Sequence, residues 1–311
     1  MRRRLSHPTK MLLVVGSATA APMPTVEISK GVNLPMITMG GDGDWGGSNY
    51  SLWLELGGHG FDTAWEYQTS RAICDAVRSR GVTRSDIFIT HKIPGSLAFN
   101  CTDAKCKTFP ERPPVTGHYT PDMARRFLAD NLQRLGPEIG YVDLLLLHTP
   151  CNYGGKTPHN QSECAAIYKV LEEAVQNGTA RAIGVSNHDR ADIEALLQTA
   201  KIKPVVNQCH AAVGMFDVET MEFGRKHNIT YQAWSPLHSD CLHDPKVEAI
   251  AASHNASVYE VAMHWLVQHG VPMVTAASTR AYMTSDLSIF DFSLSAQEMA
   301  TLDSMKCGWH S

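Results

Sequence analysis

The chain has 311 residues, is 43% hydrophobic and 19% charged, and carries a net charge of −4 at pH 7. Without a basic run, that balance argues against a nucleic-acid binder, and beyond the N-terminus no apolar stretch approaches the ~18 residues of a membrane span. One folded unit accounts for the chain, with neither a repeat array nor an interdomain linker.

In chain order, the first segment is Met1-Arg2-Arg3-Arg4, Lys10, then Met11-Leu12-Leu13-Val14-Val15-Gly16, then Ala18-Thr19-Ala20. A basic start, a short apolar middle and small residues before a cut describe a secretory signal over residues 1–20, cleaved after Ala20 or Ala21. The shortness of the apolar middle leaves an organelle transit peptide as the alternative. Residues 21–311 then make the mature domain. Pro35–Met39 reads as a first strand, followed by a glycine-rich run. Within that run Gly41-Asp42-Gly43-Asp44-Trp45-Gly46 spells G-x-G-x-x-G, with Asp62 downstream, as a Rossmann fingerprint would. Any glycine-rich loop would match, however, and two acidic residues would repel a pyrophosphate. A loop after the first strand is preferred, with a helix from Ser48.

Gly60–Ala64 is a short apolar stretch, and Thr69–Arg80 carries Ala72, Ile73, Ala76 and Val77 on one helix face. Asp86–Thr90 repeats the strand pattern with Lys92 just beyond it. Val142–Leu147 is an apolar run interrupted only by Asp143 and closed by His148, as suits a strand buried on both faces of a parallel sheet. Further strand-like runs at Ala182–Val185, Val205–Gln208, Thr230–Trp234 and Val271–Thr275 alternate with helical patterns at Asp189–Thr199, Glu219–His227, Lys246–His254 and Ser257–Val267. Eight strands alternating with helices predict an α/β fold, a closed (β/α)8 TIM barrel in a single domain. Its active site lies at the carboxyl ends of the strands.

Four polar residues fall at or just past strand ends: Asp62, Tyr67, Lys92 and His148. Acid, phenol, amine and imidazole are the parts needed to deliver a proton to a carbonyl oxygen. Singly, each has a bland reading as a surface ion pair, rim packing or a capped core histidine. Fifteen histidines invite a metal site. His238 and His243, or His264 and His269, are however five apart and lie on different helix faces, so no metal is expected.

The segments Gly60-Phe61-Asp62-Thr63-Ala64-Trp65-Glu66-Tyr67, Phe88-Ile89-Thr90-His91-Lys92, Tyr141 to His148, Gly184-Val185-Ser186-Asn187 and Trp234-Ser235-Pro236-Leu237 resemble the signature segments of the aldo-keto reductases, in order from about Gly31 to Asp303. The resemblance implies an NAD(P)H-dependent oxidoreductase that reduces aldehydes or ketones to alcohols. Tyr67 would be the general acid. A phenol with a reference pKa near 10 is a reluctant donor, so Lys92 would lower that pKa by charge proximity while Asp62 holds Lys92 ionised and aimed. His148 would orient the substrate carbonyl. The alternative is a catalytically silent nicotinamide-binding barrel that regulates a partner, against which the intact tetrad argues.

By the same resemblance, Ser186, Asn187 and Gln208 would bind the nicotinamide carboxamide. Trp234, where the family more often has Tyr, would stack on the ring, and Ser235, Leu237 and Asp286 would complete the contacts. Val274 to Tyr282 departs from the family, whose Pro-Lys-Ser and later Arg grip the 2′-phosphate of NADP. Here the Lys falls at Ala276 and the Arg near Tyr282, leaving Arg280 as the nearby cation. The expected cofactor is NADPH, with NADH as the alternative. The substrate is a small-molecule carbonyl compound and the protein a monomer. Long loops after Lys92 and His148 would wall the pocket, and the short tail, Lys306 to Ser311, would remove one wall.

Six N-x-[ST] sequons, at Asn49, Asn100, Asn160, Asn177, Asn228 and Asn255, exceed the one or two that chance would give with eleven asparagines. The excess points to a glycosylated protein of the secretory pathway or exterior. Of eight cysteines, Cys101 and Cys106 follow Lys92, and Cys151 and Cys164 follow His148. Disulfides within or between those loops would staple them, while Cys74 and Cys209 read as buried thiols.

Overall fold

Two short strands precede the barrel and close one end of it. The computed structural model describes residues 23–41, 48–67, 69–96, 119–151 and 160–309. β1 (Thr25–Ser29) and β2 (Val32–Pro35) pair antiparallel around Gly31, whose φ of 71° suits a residue without a Cβ. Ile28, Val32 and Leu34 of this hairpin pack on Phe88, Leu144, Leu146, Ala182 and Val206. Phe88 and Val206 begin their strands, so the hairpin plugs the amino-terminal end of the barrel. The single predicted strand at Pro35–Met39 is therefore two. The chain turns at Met36, whose N–H donates to Pro24 O and whose carbonyl accepts from Met273 N.

Eight parallel strands close on themselves in chain order: β3 (Ile37–Met39), β4 (Gly60–Ala64), β5 (Phe88–Ile93), β6 (Val142–Leu147), β7 (Ala180–Ser186), β8 (Val206–His210), β9 (Thr230–Trp234) and β10 (Met273–Thr275). Every residue of β4, β5 and β6 is buried, as a strand covered on both faces requires. Around them run α1 (Tyr50–Glu55), α2 (Ser70–Arg80), α3 (Pro121–Leu135), α4 (Gln161–Gln176), α5 (Arg190–Leu197), α6 (Val218–Lys226), α7 (Pro245–Ser253), α8 (Val258–Gln268), α9 (Arg280–Ser288) and α10 (Ala296–Asp303). Helix starts are locally encoded. Asn160, Asp189, Ser257 and Ser295 each make a capping box with the acidic residue three positions on, and α3 is capped by Thr120 with Pro121 in its first turn.

The same logic accounts for the sequon asparagines. Among the described residues Asn49 and Asn160 are N-caps, Asn177 is a C-cap, and Asn228 and Asn255 follow helix ends with φ of 59° and 52°. Asparagine tolerates this left-handed backbone better than other side chains with a Cβ. All five are exposed.

Gly184 shows how tightly the barrel closes. A Cβ there would lie 2.4 Å from Val206 O on β8 and 2.8 Å from Leu146 Cδ2 on β6. Gly184→Ala must push a strand aside and is expected to cost about 1–3 kcal/mol of unfolding free energy. The readout is a lower urea midpoint at unchanged m-value; an unchanged midpoint would show that this seam has slack.

Candidate active site

The site is built on one buried ion pair. Asp62 points inward from β4 and Lys92 from β5, only 2% and 1% exposed, and the Lys92 ammonium pairs with Asp62 Oδ1. Asp62 Oδ2 accepts from Gln208 Nε2 on β8 at 2.8 Å, and the same amide donates to Gln232 Oε1 on β9 at 3.0 Å. Two charges removed from water carry a large desolvation cost, which mutual attraction offsets only when the remaining lone pairs are also satisfied. Gln208, reaching across the barrel, satisfies the outer carboxylate oxygen.

After β4 the chain turns sharply, with Trp65 N donating to Lys92 O at 3.0 Å and Tyr67 N to Ala64 O at 3.1 Å. That turn folds Tyr67 back over the pair, so that Lys92 Nζ lies 4.9 Å from the centre of the phenol ring. His148, just past β6, is anchored by its N–H to Ile93 O at 2.8 Å. Its Nε2 is 3.1 Å from the Tyr67 hydroxyl and the two rings meet edge to face. On the other side of the imidazole, Nδ1 lies 3.2 Å from a carboxylate oxygen of Glu66, a residue the sequence reading passed over. Asp62, Tyr67, Lys92 and His148 line a single cavity of about 580 Å³.

The ends of β7, β8 and β9 bring Ser186, Asn187, Gln208, Trp234, Ser235 and Leu237 to that same cavity. Asn187 has φ 60°; its amide donates to His148 O at 2.9 Å and accepts from Trp234 Nε1 at 2.9 Å. Ser186 Oγ donates to Gln208 O at 2.7 Å. Hydroxyl and amide groups with both donors and acceptors, beside a flat indole face, are the donor set that a nicotinamide carboxamide and its ring require. Arg280 and Asp286 are placed otherwise. Arg280 opens α9 and pairs with Glu55, which also holds Arg80. Asp286 is buried beneath β10 and accepts from Thr275 Oγ1 at 3.2 Å. Neither lines the cavity.

The tail corrects another expectation. Rather than removing a wall, it adds one: Trp309 lines the cavity, and a disulfide between Cys241 and Cys307, not foreseen from the sequence, ties the tail down. A second disulfide joins Cys151 to Cys164, which stands in the first turn of α4 rather than in a loop. Cys74 and Cys209 are free, and burial raises both thiols, Cys209 to about 12. Cys101, Cys106 and most of the glycine-rich run lie outside the described residues. Among the described residues one cluster has the proximity a metal would need, Asp240 with Cys241 and Cys307, but its two thiols are joined in the disulfide.

The sequence profile of the Aldo/keto reductase family matches residues 50–306. A glyoxal reductase of Bacillus subtilis is 29% identical over 286 residues, which cover 90% of this chain and 92% of that protein. An aldo-keto reductase of Mycolicibacterium smegmatis is 30% identical over 294 residues, covering 93% of each. The crystal structure of an aldo/keto reductase from Brucella melitensis superimposes with a TM-score of 0.75 at 26% identity, covering 90% of this chain and 98% of that one.

Burial pushes the Asp286 carboxyl up to about 7, against 3.8 for a free side chain. Folding therefore favours its protonated form, and the stability it contributes, full below the unfolded value, is lost as pH rises from about 4 to about 7. Asp286→Asn keeps an acceptor for Thr275. It is expected to melt above the parent at pH 8, with the gap closing toward pH 4; a gap independent of pH in thermal scans would contradict this.

Proposed function

This chain belongs to the aldo-keto reductase family, and we propose that it reduces aldehydes or ketones to alcohols with NADPH, Tyr67 acting as general acid. One observation carries the reading: a phenol hydroxyl 3.1 Å from an imidazole nitrogen, above a buried ammonium–carboxylate pair, in one cavity. A dinucleotide held by these residues would supply the hydride to the carbonyl carbon. Tyr67 supplies the proton to the oxygen, and the phenolate left behind sits beside the Lys92 ammonium, whose charge acts strongly in a site shielded from water. Asp62, braced by Gln208, holds Lys92 in place. A carbonyl oxygen within reach of the Tyr67 hydroxyl also meets His148, whose ring lies against Glu66 and whose backbone N–H is anchored on the Ile93 carbonyl.

Ser186, Asn187 and Gln208 would take the carboxamide, Trp234 the ring face, and Ser235 and Leu237 the adjoining part of the dinucleotide. Arg280 is an exposed cation whose partner, Glu55, is shared with Arg80. In this reading it leaves Glu55 and grips the 2′-phosphate, which a guanidinium can hold by two parallel hydrogen bonds. NADH is the second dinucleotide, bound without that contact. Asp286 supports the end of β10 from below, through Thr275.

The reading also assigns the protein to the secretory pathway or the exterior. The signal-like residues 1–20, the disulfides Cys151–Cys164 and Cys241–Cys307, and five exposed sequon asparagines support it. Protein from a secreting eukaryotic host is expected to shift on a gel after peptide N-glycosidase treatment and to show no titratable thiol at those four cysteines. No shift together with four reactive thiols would remove this assignment.

Activity is read as NADPH oxidation with a panel of aldehydes. Tyr67→Phe should lower kcat by about 10²- to 10⁴-fold while dinucleotide binding, followed by fluorescence, stays unchanged. Arg280→Ala should weaken NADPH binding and leave NADH binding as it was. A Tyr67→Phe enzyme with normal turnover would falsify the assignment of the acid, and equal effects on both dinucleotides would take Arg280 out of its role.

A further inference from the structure

The turn that carries Tyr67 also carries its neighbour Glu66, and the two side chains meet the same ring from opposite sides. The Tyr67 hydroxyl is 3.1 Å from Nε2 of His148, and Glu66 Oε2 is 3.2 Å from Nδ1. The turn is pinned on both flanks. Trp65, just before the pair, is buried, stacks on Phe127 of α3 with 3.9 Å between ring centres and donates from Nε1 to Asp130 Oδ2 at 2.9 Å. At the base of the turn the Thr63 and Thr69 hydroxyls lie 2.7 Å apart. Two consecutive residues of one pinned loop thus face the two nitrogens of one imidazole.

The backbone of His148 is fixed as well. Its N–H donates to Ile93 O at 2.8 Å, and its carbonyl accepts from Asn187 Nδ2 at 2.9 Å. What those bonds leave open is the rotation of the ring and the place of its proton. A neutral imidazole has one N–H and one lone pair, and the partner of either nitrogen decides which is which. A carboxylate only accepts, so Glu66 favours the proton on Nδ1; the other tautomer would set a nitrogen lone pair against a carboxylate oxygen. Nε2 is then the nitrogen that serves the site. Bare, it accepts from the Tyr67 hydroxyl; protonated, it donates to a substrate oxygen.

The surroundings strengthen the contact. The Glu66 and His148 side chains are only 13% and 7% exposed, so water screens their interaction poorly. Two further titratable side chains feel the Glu66 charge. His91 of β5 is fully buried, and burial, then the Lys92 charge, push its imidazole down to about 3. Tyr119, just before α3, is buried too, and burial, then the Glu66 charge, hold its hydroxyl well above the usual phenol range. Both are therefore uncharged at pH 7.

We propose that Glu66 is a positioning residue for carbonyl reduction: it holds the Nδ1 proton of His148 and so presents Nε2 to Tyr67 and to the substrate oxygen. The proposal rests on the reductase reading above and adds to it the group that orients the imidazole. Glu66 acts through His148, since Tyr67 and His148 line the cavity and Glu66 does not. A catalytic side chain works from a narrow range of orientations, which a neighbouring hydrogen-bond partner must enforce.

The test uses the full chain with its disulfides formed and its histidine nitrogens labelled. Long-range proton–nitrogen spectra distinguish the two tautomers, with the His148 signals assigned by their loss in His148→Gln. In buffer alkaline enough to leave the ring neutral, the parent should carry its proton on Nδ1, and Glu66→Leu should move it to Nε2 or mix the two. The same variant should lower kcat with aldehydes by about ten- to hundredfold, the range of one hydrogen bond to a charged group, while NADPH binding followed by fluorescence stays unchanged. Glu66→Gln, whose amide oxygen still accepts from Nδ1, should keep the tautomer and recover most of kcat. Should Glu66→Leu fail to fold, Glu66→Asp, one methylene shorter, takes its place. If the parent reduces no aldehyde, the reductase reading fails and the tautomer result alone decides this proposal. It is overturned if the parent's proton sits on Nε2 or if Glu66→Leu leaves the tautomer unchanged. In an active parent it is also overturned if the tautomer moves without kcat, or if Glu66→Gln behaves like Glu66→Leu.

Discussion

Lys92 and Asp62 form an ion pair in the middle of a barrel with almost no contact with water, and the architecture around them follows from keeping that pair satisfied. Removing either partner would leave an uncompensated buried charge, a much larger cost than the pair's own net stabilisation. The carboxylate is therefore held from two sides, by the ammonium on β5 and by Gln208 on β8, which itself leans on Gln232 of β9. Only a closed sheet lets residues 146 positions apart, such as Asp62 and Gln208, meet across its interior.

The two ends of the barrel are treated differently. At the amino-terminal end the β1–β2 hairpin fills the opening with Ile28, Val32 and Leu34. There Asp143 is tied to Arg84 and Arg181, a network that fastens strands and does not face the cavity. At the carboxyl end the strands stop short, leaving polar side chains around open space. Both disulfides among the described residues lie here. One ties Cys151, three residues past His148, to the start of α4; the other ties the tail to the loop after β9. Loops that carry binding groups have little core of their own, and cross-links at this end keep their geometry without extra apolar packing.

Much of this was legible beforehand, for reasons visible in particular segments. Gly60–Ala64, Val142–Leu147 and Thr230–Trp234 are strands as read, because buried parallel strands are written as short, mainly apolar runs. Polar residues within the last few positions of such strands or just past them lie toward the carboxyl rim, which is why Asp62, Tyr67, Lys92 and His148 could be gathered in advance into one cavity. The hairpin was missed because β1 alternates weakly and Pro35-Met36 looks continuous with β3. Cys164 was read as loop because the capping box of Asn160 and Glu163, which starts α4, was not used. The five sequon asparagines among the described residues have a structural account that counting alone could not supply, since each caps or follows a helix.

Chain order, strand pattern and the residue types at strand ends thus determined the barrel, its working end and its proton-handling groups, because each is encoded within a few neighbouring positions. What needed the folded chain were the meetings of distant segments. Cys241 with Cys307 are 66 positions apart, Arg280 with Glu55 225, and Glu66 lies against the imidazole of His148. Such pairings depend on how loops cross a closed surface, where separation along the chain carries no information about separation in space. Trp309 belongs to this second class: its sequence neighbours do not place it, and it reaches the cavity beside the Cys241–Cys307 disulfide.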